Sequence, residues 1–300
     1  MNAGDGRIVV TLLGTGTPNP SPQRFGPATL VQAGGLDLLF DAGRGCTIRL
    51  AQCGLPLGRI AAVFLTHFHS DHVNGLADVW MSSYVPPAWG GRRAPMRLFG
   101  PPGTARMAHH LREAFADDIR IRMADERVPE EATRIEASDF PATGGVVLEE
   151  AGVRVTAFEV DHGRHIRPAV GFRIDHAGRS VLLSGDTKPH PNLRAHGAGV
   201  DLLVHEVCAL PPALRGNPVS MAIADHHTSP EEAGEIFAAT RPALAAFTHI
   251  VQIAAPGVPR VPLAEIEDQT RRTYGGPLVM GEDLMRFTVT AEGVATERLP

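Results

Sequence analysis

The sequence predicts a layered α/β domain with sheets packed together inside. Its 300 residues are 43% hydrophobic, which is enough to fill a sizeable core. Strand-like segments occur in two batches along the chain with helical segments between them, an order that is typical of a layered α/β arrangement. The chain has no internal repeat and no linker long enough to separate two globular units. We therefore expect one domain over residues 1–300.

The predicted strands and helices follow one another along the chain, with boundaries set by hydrophobic periodicity. The first batch of strands lies near 7–13, 28–33, 36–41, 60–65 and 96–99. The second batch lies near 153–160, 169–174, 179–184, 201–204, 243–248, 277–280 and 284–289. Helices fit between them near 45–53, 73–85, 104–116, 230–239 and 263–273. Patches rich in Pro and Gly predict loops near 86–103, 211–218 and 256–262.

Composition and charge disfavour several classes of protein. The chain has 28 Lys and Arg against 33 Asp and Glu, and a net charge of −5 is a poor match for the phosphates of a nucleic acid. No stretch approaches the roughly 18 apolar residues of a membrane helix, and the first residues lack the pattern of a signal peptide. Three cysteines without CxxC spacing argue against a disulfide scaffold. We therefore expect a cytoplasmic protein that does not bind membranes.

The most informative segment, THFHSDH, follows the predicted strand near 60–65. His67 and His69 are two residues apart, so both project from the same side of an extended chain. Asp71 and His72 follow where the chain turns into a helix. Three imidazoles and a carboxylate within six residues make a poor core and a good ligand set for borderline metals such as zinc. The alternative, a solvated loop with accidental histidines, fits poorly because the segment continues an apolar strand.

Three more metal-capable residues follow predicted strands, in turns that contain Gly or Thr: His162 in VDHG, Asp186 in SGDT and His249 in FTH. Loops at strand ends are where an α/β scaffold collects functional residues. Any one of the three, taken alone, is equally compatible with a hydrogen-bonded turn. Together with the first segment they supply seven ligands, which suits two metals that share one carboxylate.

These motifs and their order resemble the metallo-β-lactamase-fold hydrolases of the HxHxDH type, from LGTG at 13–16 onward. The resemblance implies an α/β fold that is a four-layer αββα sandwich, with two zinc ions per chain at one edge. The implied ligands of one zinc are His67, His69 and His162. The implied ligands of the other zinc are Asp71, His72 and His249, with Asp186 between the two ions.

Differences between this sequence and other members of the family argue against three of its branches. True β-lactamases lack the bridging aspartate that Asp186 provides, so antibiotic hydrolysis is not expected. Flavodiiron members resemble HxExDH, whereas position 69 is a histidine. Only 62 residues separate Asp186 from His249, too few for the nuclease branch that carries an inserted domain.

The chain is most similar to the branch of ribonuclease Z, arylsulfatase-like and phosphodiesterase-like proteins. Three stretches carry this similarity: LLGTGTP near the start, LFGPPGTARM at 98–107, and VHE at 204–206 with HHTS at 226–229. Glu206 resembles the acid that orients a catalytic histidine. Asp41 resembles an aspartate that steadies a metal-bound histidine, although a turn-capping role is equally compatible. The catalytic residues that the resemblance implies are His227, Asp71 and Glu206.

The residues after His227 agree with its assignment. The segment SPEE at 229–232 reads as an N-cap, a proline at the first helical position and a capping-box glutamate. His227 therefore lies at the positive end of a helix, where an imidazole can donate to a developing oxyanion. A hydrogen-bonded loop histidine is the alternative for His227 and the expected role of His226.

The distance along the chain between two ligands separates this sequence from ribonuclease Z enzymes that process transfer RNA. Those enzymes grip tRNA with a long basic arm between the isolated metal histidine and the SGDT aspartate. Only 23 residues separate His162 from Asp186, and they read as strand, hairpin and strand. No arm fits there, so we expect tRNA to be an unlikely partner that is bound weakly and cleaved poorly.

The predicted function is a dinuclear zinc hydrolase of a small molecule that uses a hydroxide held between the metals. The expected substrate is an ester or a phosphodiester, as in phosphodiesterase-like and arylsulfatase-like members. A lactonase or hydrolytic dehalogenase on the same metals is the enzymatic alternative. A non-catalytic metal-binding homologue is the third.

Aromatic residues concentrate just after the metal motif. Trp80 and Tyr84 are one turn apart on a predicted helix, and Trp89 follows in a loop rich in Pro and Gly. They form either a wall for a flat apolar substrate or the contact of a homodimer, since aromatic anchors serve both purposes. The alternative is a helix packed on the sheet with one exposed loop tryptophan.

Overall fold

The computed structural model describes residues 6–86 and 90–300. Within them the strands, in chain order, are β1 (Ile8–Gly14), β2 (Ala28–Ala33), β3 (Leu36–Phe40), β4 (Ile60–Phe64), β5 (Met96–Gly100), β6 (Ile135–Asp139), β7 (Gly144–Glu150), β8 (Val153–Glu159), β9 (Val170–His176), β10 (Arg179–Leu183), β11 (Leu202–Ala209), β12 (Leu244–Gln252), β13 (Leu278–Met280), β14 (Met285–Thr290) and β15 (Gly293–Arg298). The α-helices are α1 (Cys46–Gln52), α2 (Ser70–Val73), α3 (Leu76–Tyr84), α4 (Thr104–Ala114), α5 (Ala116–Asp125), α6 (Pro191–Gly197), α7 (Pro218–Ala224), α8 (Pro230–Thr240) and α9 (Leu263–Arg271). No helix in these residues has both the length and the apolar character that a membrane crossing requires.

The strands form two mixed sheets. One sheet has eight strands in the order β15-β14-β1-β2-β3-β4-β5-β6, and the other has seven in the order β13-β12-β11-β10-β9-β8-β7. In the first sheet β3 to β6 run parallel to one another. In the second sheet β10 to β13 are parallel, whereas β7 to β10 alternate in direction. Parallel strands are buried on both faces, which is why segments such as LLVHEVCA of β11 are almost continuously apolar.

Hydrophobic side chains fill the space between the two sheets, and others cover the outer face of each sheet. Between the sheets, the Phe64 ring stacks on Phe40 with centroids 4.8 Å apart and lies 5.8 Å from Phe172 of the opposite sheet. Helices α1, α3, α4 and α5 cover the outer face of the first sheet. Helices α6, α8 and α9 cover the outer face of the second. The order helix, sheet, sheet, helix confirms the predicted αββα sandwich.

The sequence does not predict strands β6, β7 and β15 or helices α5, α6 and α7. The three strands lie at sheet edges and most of their side chains are partly or fully exposed, so the apolar alternation that marks a strand is weak. Helix α5 buries only Ile119 fully. Elements that bury little leave little hydrophobic periodicity in a sequence.

Several strands end at one edge of the sandwich. Strands β8, β10 and β12 run in the same direction, so their carboxyl ends lie at the same end of the second sheet. Strand β4 of the first sheet meets that edge, because Val170 N–H donates to the carbonyl of Thr66 at 3.0 Å. The predicted site residues are concentrated at this edge.

Candidate metal centre

The THFHSDH segment leaves β4 and crosses this edge. His67 and His69 lie on extended chain, and α2 then turns Asp71 and His72 toward the same region. His67, Asp71 and His72 are buried, whereas His69 is partly exposed. The four side chains lie within six residues of one another, because each ligand follows the previous one by at most two residues.

The second sheet supplies the other predicted ligands from separate strands. His162 follows β8, Asp186 follows β10, and His249 lies within β12. All three are buried. They are far apart in sequence and meet only because these strands end at one edge.

The ligand atoms fall into overlapping groups, and within each group the atoms lie within 4.8 Å of one another. One group contains His67, His69, His162 and Asp186. Another contains Asp71, His72 and His249. This is the division that the family resemblance implies. A third group joins His227 to Asp186 and His249.

One carboxylate oxygen lies at the centre of the site. Asp186 Oδ2 is 3.2 Å from His249 Nε2, 3.3 Å from His72 Nε2, 3.6 Å from His162 Nε2 and 4.0 Å from His67 Nε2. Burial raises the pKa of Asp186, but the imidazoles of His249 and His72 outweigh burial and hold that pKa well below its ordinary value. Asp186 is therefore ionised, and it faces ligands of both groups.

The first ligand segment is held by Asp41. Its carboxylate lies 2.7 Å from His72 Nδ1 and accepts hydrogen bonds from the backbone N–H and the hydroxyl of Thr66, both at 2.8 Å. A hydrogen bond from Nδ1 to a carboxylate fixes the imidazole so that Nε2 is the free nitrogen. Asp41 lies beneath the ligands, and its backbone has a left-handed φ of 57°. The structure thus favours the metal-supporting role of Asp41 over a turn cap.

The orientation of His162 depends on a backbone carbonyl. His162 Nδ1 lies 2.7 Å from the carbonyl oxygen of His226, so Nε2 faces the other ligands. His162 Nε2 is 3.2 Å from His69 Nδ1. Sequence reasoning assigns His226 an ordinary loop role and misses this contact, because a carbonyl group has no signature in a sequence.

A β-bulge aims His249 at the site. Glu206 pairs with Thr248 and Val207 pairs with Ile250, so His249 is an extra residue in β12 and its φ is 41°. Bulges redirect a side chain out of the regular alternation of a strand. Without the bulge, the regular alternation of β12 would point the side chain of residue 249 in a different direction.

The donors left without partners fit metal ions. His67 Nε2 and His72 Nε2 are buried, and no hydrogen bond reaches either nitrogen within the described residues. Burial lowers the pKa of His162 to about 3, so this imidazole is neutral at pH 7, the form that binds a metal. Neutral His162 and ionised Asp186 suit a zinc-like ion, and without an ion the unpartnered nitrogens of His67 and His72 would be uncompensated.

His227 lies beside this set and is held by Glu206. Its Nδ1 is 3.1 Å from Glu206 Oε1, which also accepts the backbone N–H groups of Thr187 and Thr228 at 3.2 and 3.0 Å. Burial lowers the pKa of His227 to about 4. Burial and the negative charge of Asp186 raise the pKa of Glu206 well above its ordinary value. The arrangement fixes Nδ1 and leaves Nε2 of His227 for the cleft.

Helix α8 begins after His227 as the sequence predicts. The Ser229 hydroxyl accepts the backbone N–H of Glu232, and the Glu232 side chain accepts the N–H of Ser229, which forms a capping box with Pro230 at the first helical position. The capping box fixes the chain between His227 and the helix.

A cleft of about 720 Å³ opens above the ligands. The loop 16–24 after β1 supplies much of its lining, and residues 250–254 after His249 supply more. His69, Asp71, Asp186 and His227 line its floor. The carboxylates and histidines therefore line the floor of a groove that is open to a large substrate.

Asp283 holds both ends of the loop 16–24. One carboxylate oxygen accepts the N–H and the hydroxyl of Thr15 at 2.9 and 2.8 Å, and the other accepts the N–H of Phe25 at 2.8 Å. Arg49 donates to the second oxygen at 3.0 Å, and its guanidinium lies 4.0 Å from the centre of the Phe25 ring. Sequence reasoning missed this buried carboxylate because its partners are more than 230 positions away.

The aromatic residues after the metal motif do not line the cleft. Trp80 and Tyr84 are fully buried with ring centroids 6.0 Å apart, and Trp80 Nε1 donates to the carbonyl of Thr133 at 3.1 Å. They belong to the core under α3, which is the alternative of a helix packed on the sheet. Trp89 lies outside the described residues.

The chain is similar over nearly its whole length to proteins named Ribonuclease Z. It is 38% identical over 290 residues to the Ribonuclease Z of Mycobacterium marinum (strain ATCC BAA-535 / M), a match that covers 95% of this chain and 99% of that protein. It is 36% identical over 293 residues to the Ribonuclease Z of Mycobacterium bovis (strain BCG / Pasteur 1173P2), with 94% and 98% covered.

These relatives contradict the prediction of a small-molecule hydrolase for which tRNA is an unlikely partner. The missing arm was the main argument, but a 290-residue match that covers 99% of the Mycobacterium marinum protein leaves no room there for a long arm either. A protein can therefore be named Ribonuclease Z without one. The net charge of −5 is a sum over the whole chain and does not describe the surface around the site.

A family model and solved structures identify the wider superfamily and the fold of the chain. The model described as a beta-lactamase superfamily domain matches residues 37–250. The fold is shared with the metallo-beta-lactamase fold protein YhfI from Bacillus subtilis, at a TM-score of 0.71 and 17% identity over 94% of this chain and 99% of that one. It is shared with human tRNase Z, short form, at 0.67 and 22% over 93% and 98%. The chain therefore belongs to the beta-lactamase superfamily of metal-dependent hydrolases, in the group that contains the Ribonuclease Z proteins.

Proposed function

We propose that this chain is a zinc-dependent ribonuclease that hydrolyses a phosphodiester bond of precursor tRNA. The observation that carries this proposal is the end-to-end similarity to Ribonuclease Z proteins, combined with seven ligands under an open cleft. Precursor tRNA is found where we expect this chain to be, in the cytoplasm.

We propose two zinc ions per chain, one for each ligand group. The residues proposed to hold the first are His67, His69 and His162. Those proposed to hold the second are Asp71, His72 and His249, with Asp186 shared. Zinc at such a site supplies a nucleophile at neutral pH and neutralises charge on the phosphoryl oxygens.

His227 is the proposed proton-transfer residue. Its Nδ1 is engaged by Glu206, so only Nε2 exchanges a proton with the leaving oxygen at the cleft. Glu206 is buried and does not line the cleft, so it acts by orienting the imidazole. Asp71 belongs to the catalytic residues because it lines the cleft floor as well as the second ligand group.

Cleavage of precursor tRNA by the purified, zinc-loaded chain tests this function. The substrate is a precursor tRNA, and an RNA of the same length and composition with a scrambled sequence is its control. We expect cleavage of the folded precursor at one position, loss of activity after chelation and recovery with zinc. Hydrolysis of bis-aryl phosphate without any cleavage of precursor would contradict the proposed substrate while leaving the metal centre intact.

Elemental analysis tests the metal content independently of the substrate. We expect close to two zinc ions per chain after loading and dialysis. One ion or none would contradict the dinuclear arrangement.

A further inference from the structure

The short loop that follows ligand His162 is basic. Residues 163–168 read GRHIRP, and Arg164, His165 and Arg167 are exposed. This loop lies between His162 and Asp186, where ribonuclease Z enzymes with a long arm carry that arm. Across the site, Lys188 is the only lysine in the sequence, and its side chain is 38% exposed.

These side chains are held close to the ligands. Arg164 is two residues after His162 and Lys188 is two residues after Asp186, and two residues span at most about 7 Å. The backbone N–H of Lys188 donates to the carbonyl of Asp161 at 2.7 Å, which ties the two segments together. The backbone at Arg164 and Lys188 therefore lies close to the ligands.

The loop also borders the cleft. A β carbon placed on Gly163 would lie 2.9 Å from Cβ of His226, and His226 lines the cleft. Gly163 has a φ of 96°, so both its backbone and its surroundings favour glycine. The chain therefore contacts the wall of the cleft at Gly163, the residue just before Arg164.

Positive charge exceeds negative charge among the groups that interact here. Asp161 lies 3.2 Å from Lys188 Nζ and 3.9 Å from an Arg167 guanidinium nitrogen. Arg164 forms no ion pair with any residue that the structure describes. The single carboxylate of Asp161 thus pairs with Lys188 and Arg167, which leaves the charge of Arg164 without an acidic partner among the described residues. In β8, the strand that precedes this loop, Arg154 is paired with Glu149 at 2.8 Å.

We propose that Arg164, Arg167 and Lys188, here called the basic rim, bind phosphates of the RNA next to the scissile bond. This inference rests on the proposed function. A polynucleotide with one phosphodiester at the metal centre necessarily brings its neighbouring phosphates close to that centre. Exposed cations beside that centre can neutralise them, and phosphate contacts supply most of the affinity for a nucleic acid.

Binding of precursor tRNA in a salt series tests the basic rim. The variant Arg164→Gln/Arg167→Gln removes two charges and keeps polar side chains of similar length. We expect its affinity for the RNA to fall roughly tenfold at low salt and the slope of log K against log salt to become shallower by about one to two. The matched control is Arg154→Gln, because Arg154 lies near the start of β8, the strand that ends just before this loop. Equal slopes for wild type and double variant would overturn the proposal.

The single lysine gives a second measurement that needs no substitution. An amine-reactive acetylating reagent modifies Lys188 and the N-terminus, which peptide mass spectrometry separates. We expect saturating precursor tRNA to slow acetylation of Lys188 several-fold more than acetylation of the N-terminus. Acetylation of Lys188 at the same rate with and without RNA would overturn its place in the rim.

The two proposals fail in different ways. Cleavage of precursor tRNA with normal salt dependence in the double variant would leave the proposed function standing and overturn the rim. Weakened RNA binding in the double variant, without cleavage of precursor by wild type, would support the rim as an RNA-binding surface and contradict the proposed function.

Discussion

The two halves of the metal centre are built in different ways. His67, His69, Asp71 and His72 come from one segment of six residues. His162, Asp186 and His249 come from three strands of the other sheet, and one of them needs a bulge to face the site. The first half is a local motif whose ligands are neighbours in the sequence. The second half exists only when the sheet is folded, so its ligands report the integrity of the fold as well as of the site.

The residues that support the two halves also differ. Asp41 holds His72 and Thr66 and is itself buried beneath the ligands. In the second half, support comes from the carbonyl of His226 and from Glu206, and both contacts involve the segment before α8. We infer that changes near Asp41 alter metal affinity, whereas changes near Glu206 alter chemistry.

Removing the residue shared by both halves should have the largest effect. Asp186→Ala should lose metal from both ligand groups and reduce turnover of precursor tRNA by about 10⁴-fold or more, because several kcal/mol of charge stabilisation and nucleophile generation are both lost. Elemental analysis and single-turnover cleavage measure the two effects. Asp175→Ala, a carboxylate paired with Arg173 in the same sheet, is the control. Retention of two ions by Asp186→Ala would mean that the halves do not share this carboxylate.

The next prediction separates chemistry from metal binding. His227→Ala should keep both metals and lose roughly 10²–10⁴-fold in turnover, the usual size of a general acid or base contribution. The neighbouring variant His226→Ala keeps the carbonyl that His162 needs and should lose far less. Loss of one metal by His227→Ala would instead make His227 a ligand, as its place near Asp186 and His249 allows.

The sequence predicts the local half of the site and the fold more completely than it predicts the contacts between distant residues. The seven ligands and the capping box before α8 are visible because each is a short motif at a predicted strand or helix end. The bulge at His249, the carbonyl partner of His162 and the partners of Asp283 are not visible, because each depends on a backbone conformation or on residues far away in the chain. The substrate prediction is wrong because it rests on the missing arm, which relatives named Ribonuclease Z also lack, and on an overall charge, which carries no information on where charges lie.

The supporting carboxyls should have smaller and different effects. Asp41→Asn should weaken metal binding about 10–100-fold, since it removes the charge that orients His72, and Glu206→Gln should reduce turnover by a similar factor with both metals kept. Competition with a chromogenic chelator measures the first effect, and single-turnover cleavage measures the second. If both variants changed metal affinity equally, the proposed difference between the two supports would be refuted.

The smallest effect is expected from Asp283, which touches neither half of the centre but holds the loop 16–24 at both ends. Asp283→Asn keeps one acceptor oxygen and loses the charge that pairs with Arg49, so the loop should become more mobile without moving the ligands. We expect KM for precursor tRNA to rise several-fold while kcat and metal content are retained, with faster hydrogen exchange in the loop. Asp201→Asn is the control, because Asp201 also accepts a backbone N–H, from Ser180 at 2.8 Å, and does not contact the loop. A fall in kcat with unchanged KM would show that this carboxylate acts on the metal centre itself, and the division between a substrate-binding wall and a catalytic floor would then have to be redrawn.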